Sequence, residues 1–274
     1  MINNINLLDI ITTSILAGEK IIEVYQSDFA VENKEDNSPL TLADKKSHQT
    51  IVENLAQNHP DIPVISEEGA SIPYGERRDW DYYWLIDPLD GTKEFVKRNG
   101  EFTVNIALIH KGYPVLGVIY APVLDIVYFA KKGTGSFKIS DTTGISQMDE
   151  VAVIAKAEKL PTIKNEVVSI IGSRSHMSNE TKEYIEEVKA RYGEVEFTSA
   201  GSSLKLCYVA EGKADVYPRF APTMEWDTAA GQAIVEQSGG LVQEAETGKR
   251  VRYNKENLLN PFFIAEKIGF ELYG

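Results

Sequence analysis

The sequence has 274 residues, of which 43% are hydrophobic, and this combination is typical of a folded globular protein with enough core for two sub-domains. Its 41 Asp and Glu residues outnumber 28 Lys and Arg residues, giving a net charge of −13 that argues against binding a nucleic acid polymer. An anionic ligand would therefore need a local site made of a metal ion or of clustered Lys and Arg.

The chain has a single cysteine, Cys207, so no disulfide can form within it and a reducing compartment is expected. The surrounding run LKLCYVA predicts a small core residue rather than a nucleophile. The N-terminus lacks a secretion-signal pattern, and no run reaches the roughly 18 apolar residues of a transmembrane segment. We expect a cytoplasmic protein. Peripheral attachment at the cytoplasmic face of the inner membrane stays open, and the oligomeric state is not indicated.

Two helices and then several strands are predicted in the first half. Apolar residues recur at helical spacing over 5–25, and a second helix is expected from Ala43 to Asn58, with Thr41 as its cap. Five strand-like runs follow at 63–66, 82–87, 102–110 and, as a pair, within 114–130. Because only turns join them, an antiparallel sheet is favoured.

Strands and helices alternate in the second half. Strands are expected at 167–173, 194–198 and 214–218, and helices at 179–191, 202–210 and 226–237. This alternation predicts helices covering a mixed sheet, so the fold class is α+β or α/β. A poorly patterned segment at 138–160 suggests a boundary between sub-domains 1–145 and 146–274.

Two carboxylates close the apolar run WLIDPLDGT. Asp87 and Asp90 flank Pro88, whose fixed φ favours a turn that brings them together. Two anions so close repel unless a cation lies between them, and Mg²⁺ prefers such oxygen ligands. Asp90 as a simple helix cap is an equal alternative for this motif alone.

Further acids stand at the ends of other elements. Glu67 follows the strand-like run PVIS, and Asp227 lies in the opening turn of a small-residue helix. Gly91 and Thr92 follow the paired acids at an expected helix start, where free N–H groups accept a phosphate oxygen. The combination predicts metal-assisted hydrolysis of a phosphate ester.

The segments around Glu67, DPLDGT at 87–92 and WDTAA at 226–230, in this order, resemble the signatures of the inositol monophosphatase superfamily. The resemblance covers nearly the whole chain and implies a layered αβαβα sandwich with two or three Mg²⁺ ions. The metal ligands it implies are Glu67, Asp87, the Leu89 carbonyl, Asp90 and Asp227. It also implies that Asp44 and Thr92 polarise the attacking water, Asp44 standing in the matching segment TLAD.

The substrate is indicated by flanking basic residues. Lys205 and Arg219 near the motifs of an acidic protein suit a second phosphate, and the segments GSRSH and GSSLKLCYVAEGKADVYPRF resemble the 3′(2′),5′-bisphosphate nucleotidase branch. That branch implies hydrolysis of adenosine 3′,5′-bisphosphate to AMP and phosphate, which clears a by-product of sulfate assimilation. The implied contacts are Glu67, Leu89, Asp90, Gly91, Thr92 and Asp227 at the scissile phosphate, with His176, Ser202, Lys205 and Arg219 beyond it. Ser203 is an alternative to Ser202.

Three alternatives remain at this point. An inositol monophosphatase or sugar bisphosphatase would share the metal site and differ in substrate. A catalytically silent sensor of metal and nucleotide would share the fold, although none of the expected acids is missing. A nuclease also uses paired metals, but the acidic surface disfavours it.

Overall fold

A seven-stranded sheet occupies the first part of the chain, and a five-stranded sheet follows it. The structure is a computed structural model that describes residues 2–27, 39–173 and 178–270. In chain order the first sheet contains β1 (Val64–Ser66), β2 (Tyr82–Asp90), β3 (Thr103–His110), β4 (Tyr113–Ala121), β5 (Ile126–Lys131), β6 (Gly135–Ser140) and β7 (Glu158–Lys159). The strands pair in that order, and all pairs are antiparallel except β1 with β2.

The second sheet is mixed, as the sequence predicts. Its strands are β8 (Val168–Gly172), β9 (Val195–Ser199), β10 (Val216–Arg219), β11 (Leu241–Glu244) and β12 (Phe263–Glu266), in the spatial order β11-β12-β10-β8-β9. Strand β8 pairs in parallel with β9 and β10, whereas β12 is antiparallel to both of its neighbours.

Eight helices surround and separate the sheets in the described part of the chain. They are α1 (Leu7–Tyr25), α2 (Pro39–Asn58), α3 (Tyr74–Arg77), α4 (Thr92–Val96), α5 (Glu150–Lys156), α6 (Asn179–Tyr192), α7 (Leu204–Glu211) and α8 (Glu225–Gln237). Helices α1 and α2 pack on one face of the first sheet, α7 and α8 lie between the sheets, and α6 covers the outer face of the second. This layering confirms the predicted αβαβα fold.

The small residues of α8 allow it to fit between the two sheets. Ala229, Ala230 and Ala233 are buried in the central core. Opposite them, Gly117 of β4 has no side chain, and a Cβ there would lie 2.9 Å from both the Ala230 Cα and the Ala233 Cβ. Because real Cβ atoms rarely approach so closely, this glycine sets how near the helix can come to the sheet.

Several predicted boundaries change. Helix α2 begins at Pro39 instead of Ala43, since proline is well tolerated in a first turn, so Thr41 lies inside the helix and is not its cap. Strand β2 continues to Asp90 instead of ending at Asp87. The strands β6, β7, β11 and β12 were missed because they are short or weakly apolar. Strand β7 lies after residue 146 but pairs with β6 of the first sheet. The boundary between sub-domains 1–145 and 146–274 stays a prediction.

Two other expectations can be compared with the structure. Cys207 is fully buried in α7, which confirms its place in the core. Among the residues that the structure describes, no helix combines the length and apolarity that crossing a bilayer requires.

The close contact between Gly117 and α8 generates a stability prediction. Gly117→Ala should push α8 away from β4 and lower the free energy of unfolding by about 1–3 kcal/mol, which corresponds to about 2–4 °C in Tm per kcal/mol. Gly75→Ala is the control, because a Cβ at Gly75 meets no atom within 4 Å. Thermal unfolding followed by circular dichroism measures the difference. If both variants melted like the wild type, the close packing of α8 on Gly117 would be contradicted.

Candidate functional site

A β-bulge in β2 brings two acids to the same face of the first sheet. Between the pairs Asp87–Asn105 and Asp90–Thr103, three steps along β2 oppose two steps along β3, so β2 carries an extra residue. Side chains of a regular strand alternate between faces, which would put residue 89 on the same face as residue 87. Instead Leu89 packs into the core beneath α1 and α2, and Asp90 faces the layer between the sheets.

The bulge is fixed from both sides. The backbone N–H of Leu89 donates to Asp87 Oδ1 at 3.1 Å, and Ser47 Oγ of α2 donates to the Pro88 carbonyl at 2.7 Å. Pro88 has no N–H to lose from the ladder, so a bulge tolerates it. The expected turn at this proline is therefore an irregularity within the strand.

Three carboxylates from distant parts of the chain meet at this bulge. Glu67 follows β1, Asp87 lies on β2 and Asp227 is the third residue of α8, and each offers an oxygen within 4.8 Å of the other two. Asp87 is 1% exposed. Strand β1 runs parallel to β2, which brings Glu67 beside Asp87, and α8 adds Asp227 from the layer above.

Asp227 serves the start of its helix as well as the cluster. Its Oδ2 accepts a hydrogen bond from the backbone N–H of Met224 at 2.8 Å, so the side chain helps to cap the start of α8. The side chain is nevertheless part of the acidic group, so capping and metal ligation are compatible here.

The electrostatics of the cluster favour a cation. Burial raises the pKa of Asp87 well above its usual range, and the nearby charges of Asp90, Glu67 and Asp227 raise it further. Burial and then Asp90 raise the pKa of Asp227 to about 7, and burial is also the main cause of the raised pKa of Glu67. A bound divalent cation would relieve both the desolvation and the repulsion, and the all-oxygen donor set fits Mg²⁺.

Asp44 of α2 extends the acidic group on the side of Glu67. It is 8% exposed, and burial followed by the charges of Glu68 and Glu67 raises its pKa to about 8. Its Oδ1 has no hydrogen-bond partner among the described residues. An unpaired buried oxygen in an acidic cluster suits a water molecule or a cation.

The segment after Asp90 approaches the second half of the chain very closely. Gly91 has φ +95°, and a Cβ there would overlap Ser202 Oγ, so only glycine fits. Ser202 Oγ is within 2.9 Å of the Asp90 carbonyl and 2.6 Å of the Glu101 carbonyl, and Ser203 Oγ donates to Asp90 Oδ2 at 2.7 Å. Thr92 is the first residue of α4 and is exposed.

A cavity of about 150 Å³ opens beside the acids and is lined by side chains of both charges. The lining includes Asp90 and Asp227 as well as Lys205 and Arg219. Burial lowers the pKa of Lys205 to about 8, and its Nζ donates to the Ser202 carbonyl at 2.7 Å. Arg219 Nη2 donates to the Pro222 carbonyl at 3.1 Å, while its buried Nε has no hydrogen-bond partner in the described structure.

The structure thus brings most predicted site residues to one place. Glu67, Asp87, Asp227 and Asp44 lie in one acidic cluster, and Asp90, Gly91, Ser202, Lys205, Arg219 and Asp227 line the cavity beside it. The Leu89 carbonyl as a metal ligand and Thr92 as a water-orienting residue stay predictions. His176 lies outside the described residues.

Asn105 and Thr103 were not among the predicted site residues, and Ser203 was predicted only as an alternative to Ser202. A polar pair inside the otherwise apolar run TVNIALIH was the available signal, because a buried amide needs a partner. Its partner, Ser203, lies 98 residues further along the chain.

Both the sequence and the fold of the chain are similar to those of known proteins. Residues 6–267 match the model of the inositol monophosphatase family. The chain is 46% identical over 250 residues to the 3′(2′),5′-bisphosphate nucleotidase CysQ of Salmonella typhimurium, covering 90% of this chain and 94% of that protein. The corresponding Escherichia coli K12 protein is 45% identical with the same coverage.

Two solved structures illustrate the similarity of fold. The crystal structure of CysQ from Bacteroides thetaiotaomicron superposes with a TM-score of 0.90 at 50% identity, covering 95% of this chain and 96% of that one. Inositol monophosphatase-II from Staphylococcus aureus, at 20% identity, shares the fold with a TM-score of 0.73, covering 96% of this chain and 91% of that one.

The raised pKa values predict how the stability of the metal-free protein depends on pH. The usual Asp pKa is 3.8, whereas the native values of Asp227 and Asp44 are about 7 and about 8. Between these limits the native state binds more protons than the unfolded chain, so the free energy of unfolding should fall as pH rises. From pH 5 to 8 the loss should reach at least about 1 kcal/mol, or about 2–4 °C in Tm.

Thermal unfolding in a chelator measures this loss, and added Mg²⁺ should restore more stability at pH 8 than at pH 5. Asp87→Asn removes one buried charge and should flatten the pH dependence, while Asp61→Asn, at an exposed position before β1, should not. Equal slopes for the wild type and Asp87→Asn would contradict the clustering.

Proposed function

The chain belongs to the inositol monophosphatase family, and on that premise we propose that it is a 3′(2′),5′-bisphosphate nucleotidase. It would hydrolyse adenosine 3′,5′-bisphosphate to AMP and phosphate and so clear a by-product of sulfate assimilation. The observation that carries this substrate is a cavity whose lining combines the acids Asp90 and Asp227 with the cations Lys205 and Arg219. A molecule with two phosphates can place one near metal ions at the acids and the other against Lys205 and Arg219.

Enzymes of this family use Mg²⁺, and we propose two or three ions per active site. Glu67, Asp87, Asp90, Asp227 and the Leu89 carbonyl would hold them. Bound Mg²⁺ would neutralise charge on the scissile phosphate and lower the pKa of an attacking water.

The protein's own groups position the reactants. The unpaired Oδ1 of Asp44 is available to accept the proton of the attacking water, and the Thr92 hydroxyl at the start of α4 would help to orient that water. Gly91 leaves room for the phosphate because it has no side chain. Ser202 would contribute to the retained phosphate and ribose through its position in the cavity wall.

Lys205 and Arg219 also separate this reaction from that of an inositol monophosphatase. A polyol monophosphate has no second anion, so Lys205 would stay buried without an anionic partner from the substrate. A nucleoside bisphosphate supplies the missing charge. Sugar bisphosphates offer two phosphates but no base, and they belong in the same assay.

A substrate panel in a single Mg²⁺ titration tests the proposal. Phosphate release from adenosine 3′,5′-bisphosphate should exceed release from inositol 1-phosphate by about 100-fold in kcat/KM, since two lost charge contacts are worth roughly 3 kcal/mol. Release from fructose 1,6-bisphosphate, which keeps a second phosphate but lacks a base, should also be slower. Asp90→Asn keeps the shape but loses the charge and should lower kcat by about 10³-fold. Preference for inositol 1-phosphate would overturn the substrate assignment.

The charge of Arg219 should affect bisphosphate substrates selectively. Arg219→Glu places an anion near the second phosphate and should lower kcat/KM for adenosine 3′,5′-bisphosphate by about 100-fold or more, with a much smaller effect on inositol 1-phosphate. Lys132→Glu reverses an exposed charge outside the cavity and controls for net charge. Equal losses of kcat/KM on both substrates would show that Arg219 does not contact the second phosphate.

A further inference from the structure

A chain of three hydrogen bonds, two buried and one partly buried, ends on the carboxylate of Asp90. Thr103 Oγ1 donates to Asn105 Oδ1 at 3.0 Å, Asn105 Nδ2 donates to Ser203 Oγ at 2.8 Å, and Ser203 Oγ donates to Asp90 Oδ2 at 2.7 Å. Thr103 and Asn105 are 0% and 1% exposed, and Ser203 is 4% exposed. Asn105 therefore lies one residue behind the cavity wall and does not line the cavity itself.

The register of the first sheet produces this arrangement. Thr103 lies opposite Asp90 and Asn105 lies opposite Asp87, and residues two apart in a strand share one face. Both polar side chains of β3 thus point toward the layer that holds α7 and α8. Ser203, the residue just before α7, meets Asn105 there.

The number of protons available determines which atom donates in each of these hydrogen bonds. A carboxylate without a proton can only accept, and the Ser203 hydroxyl has a single proton. If the Asn105 amide were flipped, its Oδ1 would compete with Asp90 for that proton. The carboxylate therefore favours the orientation in which Nδ2 faces Ser203, and Thr103 supplies the matching donor for Oδ1.

The Ser203 hydroxyl also has a second acceptor within reach. The main-chain carbonyl of Asp227 lies 2.8 Å from Ser203 Oγ. If the Ser203 hydroxyl rotates, its proton can therefore turn from the Asp90 carboxylate to this carbonyl. Asn105 binds a lone pair of the same oxygen and limits that rotation. A charge-assisted O–H···O bond in a buried site is strong, so its loss would free Asp90 to move away from the other acids.

We infer that Asn105, oriented by Thr103, is a positioning residue that holds Asp90 for cation binding through the Ser203 hydroxyl. This inference rests on the metal site of the proposed function but not on the identity of the substrate. Groups that orient metal ligands in this way typically change metal affinity by about 10–100-fold when removed.

Direct Mg²⁺ binding measured by calorimetry, without substrate, tests the inference. Asn105→Leu keeps the volume and removes both hydrogen bonds, and it should raise the Kd for Mg²⁺ by about 10-fold or more. Thr103→Val should raise it by a smaller factor, and Thr103→Ser, which keeps the hydroxyl, should stay within about 2-fold of the wild type. The Mg²⁺ concentration for half-maximal activity should shift in parallel, with KM for substrate at saturating Mg²⁺ little changed.

A buried hydroxyl remote from the site provides the structural control. Thr13 of α1 is 2% exposed and its Oγ1 donates to the Asp9 carbonyl. Thr13→Val should change Tm without changing the Kd for Mg²⁺. Wild-type Mg²⁺ affinity in folded Asn105→Leu and Thr103→Val would overturn the inference. If Asn105→Leu does not fold, the comparison of Thr103→Val with Thr103→Ser alone decides.

The same experiment distinguishes a failure of the proposed substrate from a failure of the positioning role. A wild-type protein that binds Mg²⁺ but prefers another phosphate ester would contradict the proposed substrate and leave the positioning role intact. A wild-type protein that binds no Mg²⁺ would contradict both.

Discussion

Repulsion between carboxylates at the contact of the first sheet with α8 is the constraint on which the active site depends. Glu67, Asp87 and Asp227 reach within 4.8 Å of one another, and Asp87 is almost fully buried. Such a group is unfavourable unless the carboxylates are protonated or a cation lies among them. The rest of the fold holds these acids together despite that cost. The bulge in β2 turns Asp87 and Asp90 to one face, the parallel β1 adds Glu67, and the small residues of α8 let Asp227 approach.

Some of these features could be predicted from the sequence because they are local. The acids in DPLDGT and WDTAA specify the ligand types, and the pattern of apolar residues specifies most strands. The predicted α2 started too late because a cap was sought at Thr41, whereas Pro39 begins the helix. Strands β11 and β12 contain four residues each, which is too short for their period to stand out.

Other features depend on pairing between distant segments, which residue spacing does not encode. The face on which Leu89 and Asp90 lie is decided by the bulge relative to β3. The partner of Asn105 lies 98 residues away, and Ser203 reaches Asp90 across 113 residues. A polar residue in an apolar strand indicates that it needs a hydrogen-bond partner but does not identify that partner. The same limit explains why Ser202 looked equivalent to Ser203, although Ser202 Oγ lies near main-chain carbonyls and Ser203 Oγ near a carboxylate.

The position of α8 between the sheets has a consequence during synthesis of the chain. The face of β3, β4 and β5 that α8 covers is complete once Lys131 has been made, but α8 ends only at Gln237. At about 5–20 residues per second, a ribosome needs roughly 5–20 s to add the intervening residues. For that interval the nascent polypeptide lacks the helix that covers this apolar face in the folded protein. Emergence of the last third of the chain is therefore the event that both seals this surface and assembles the catalytic centre.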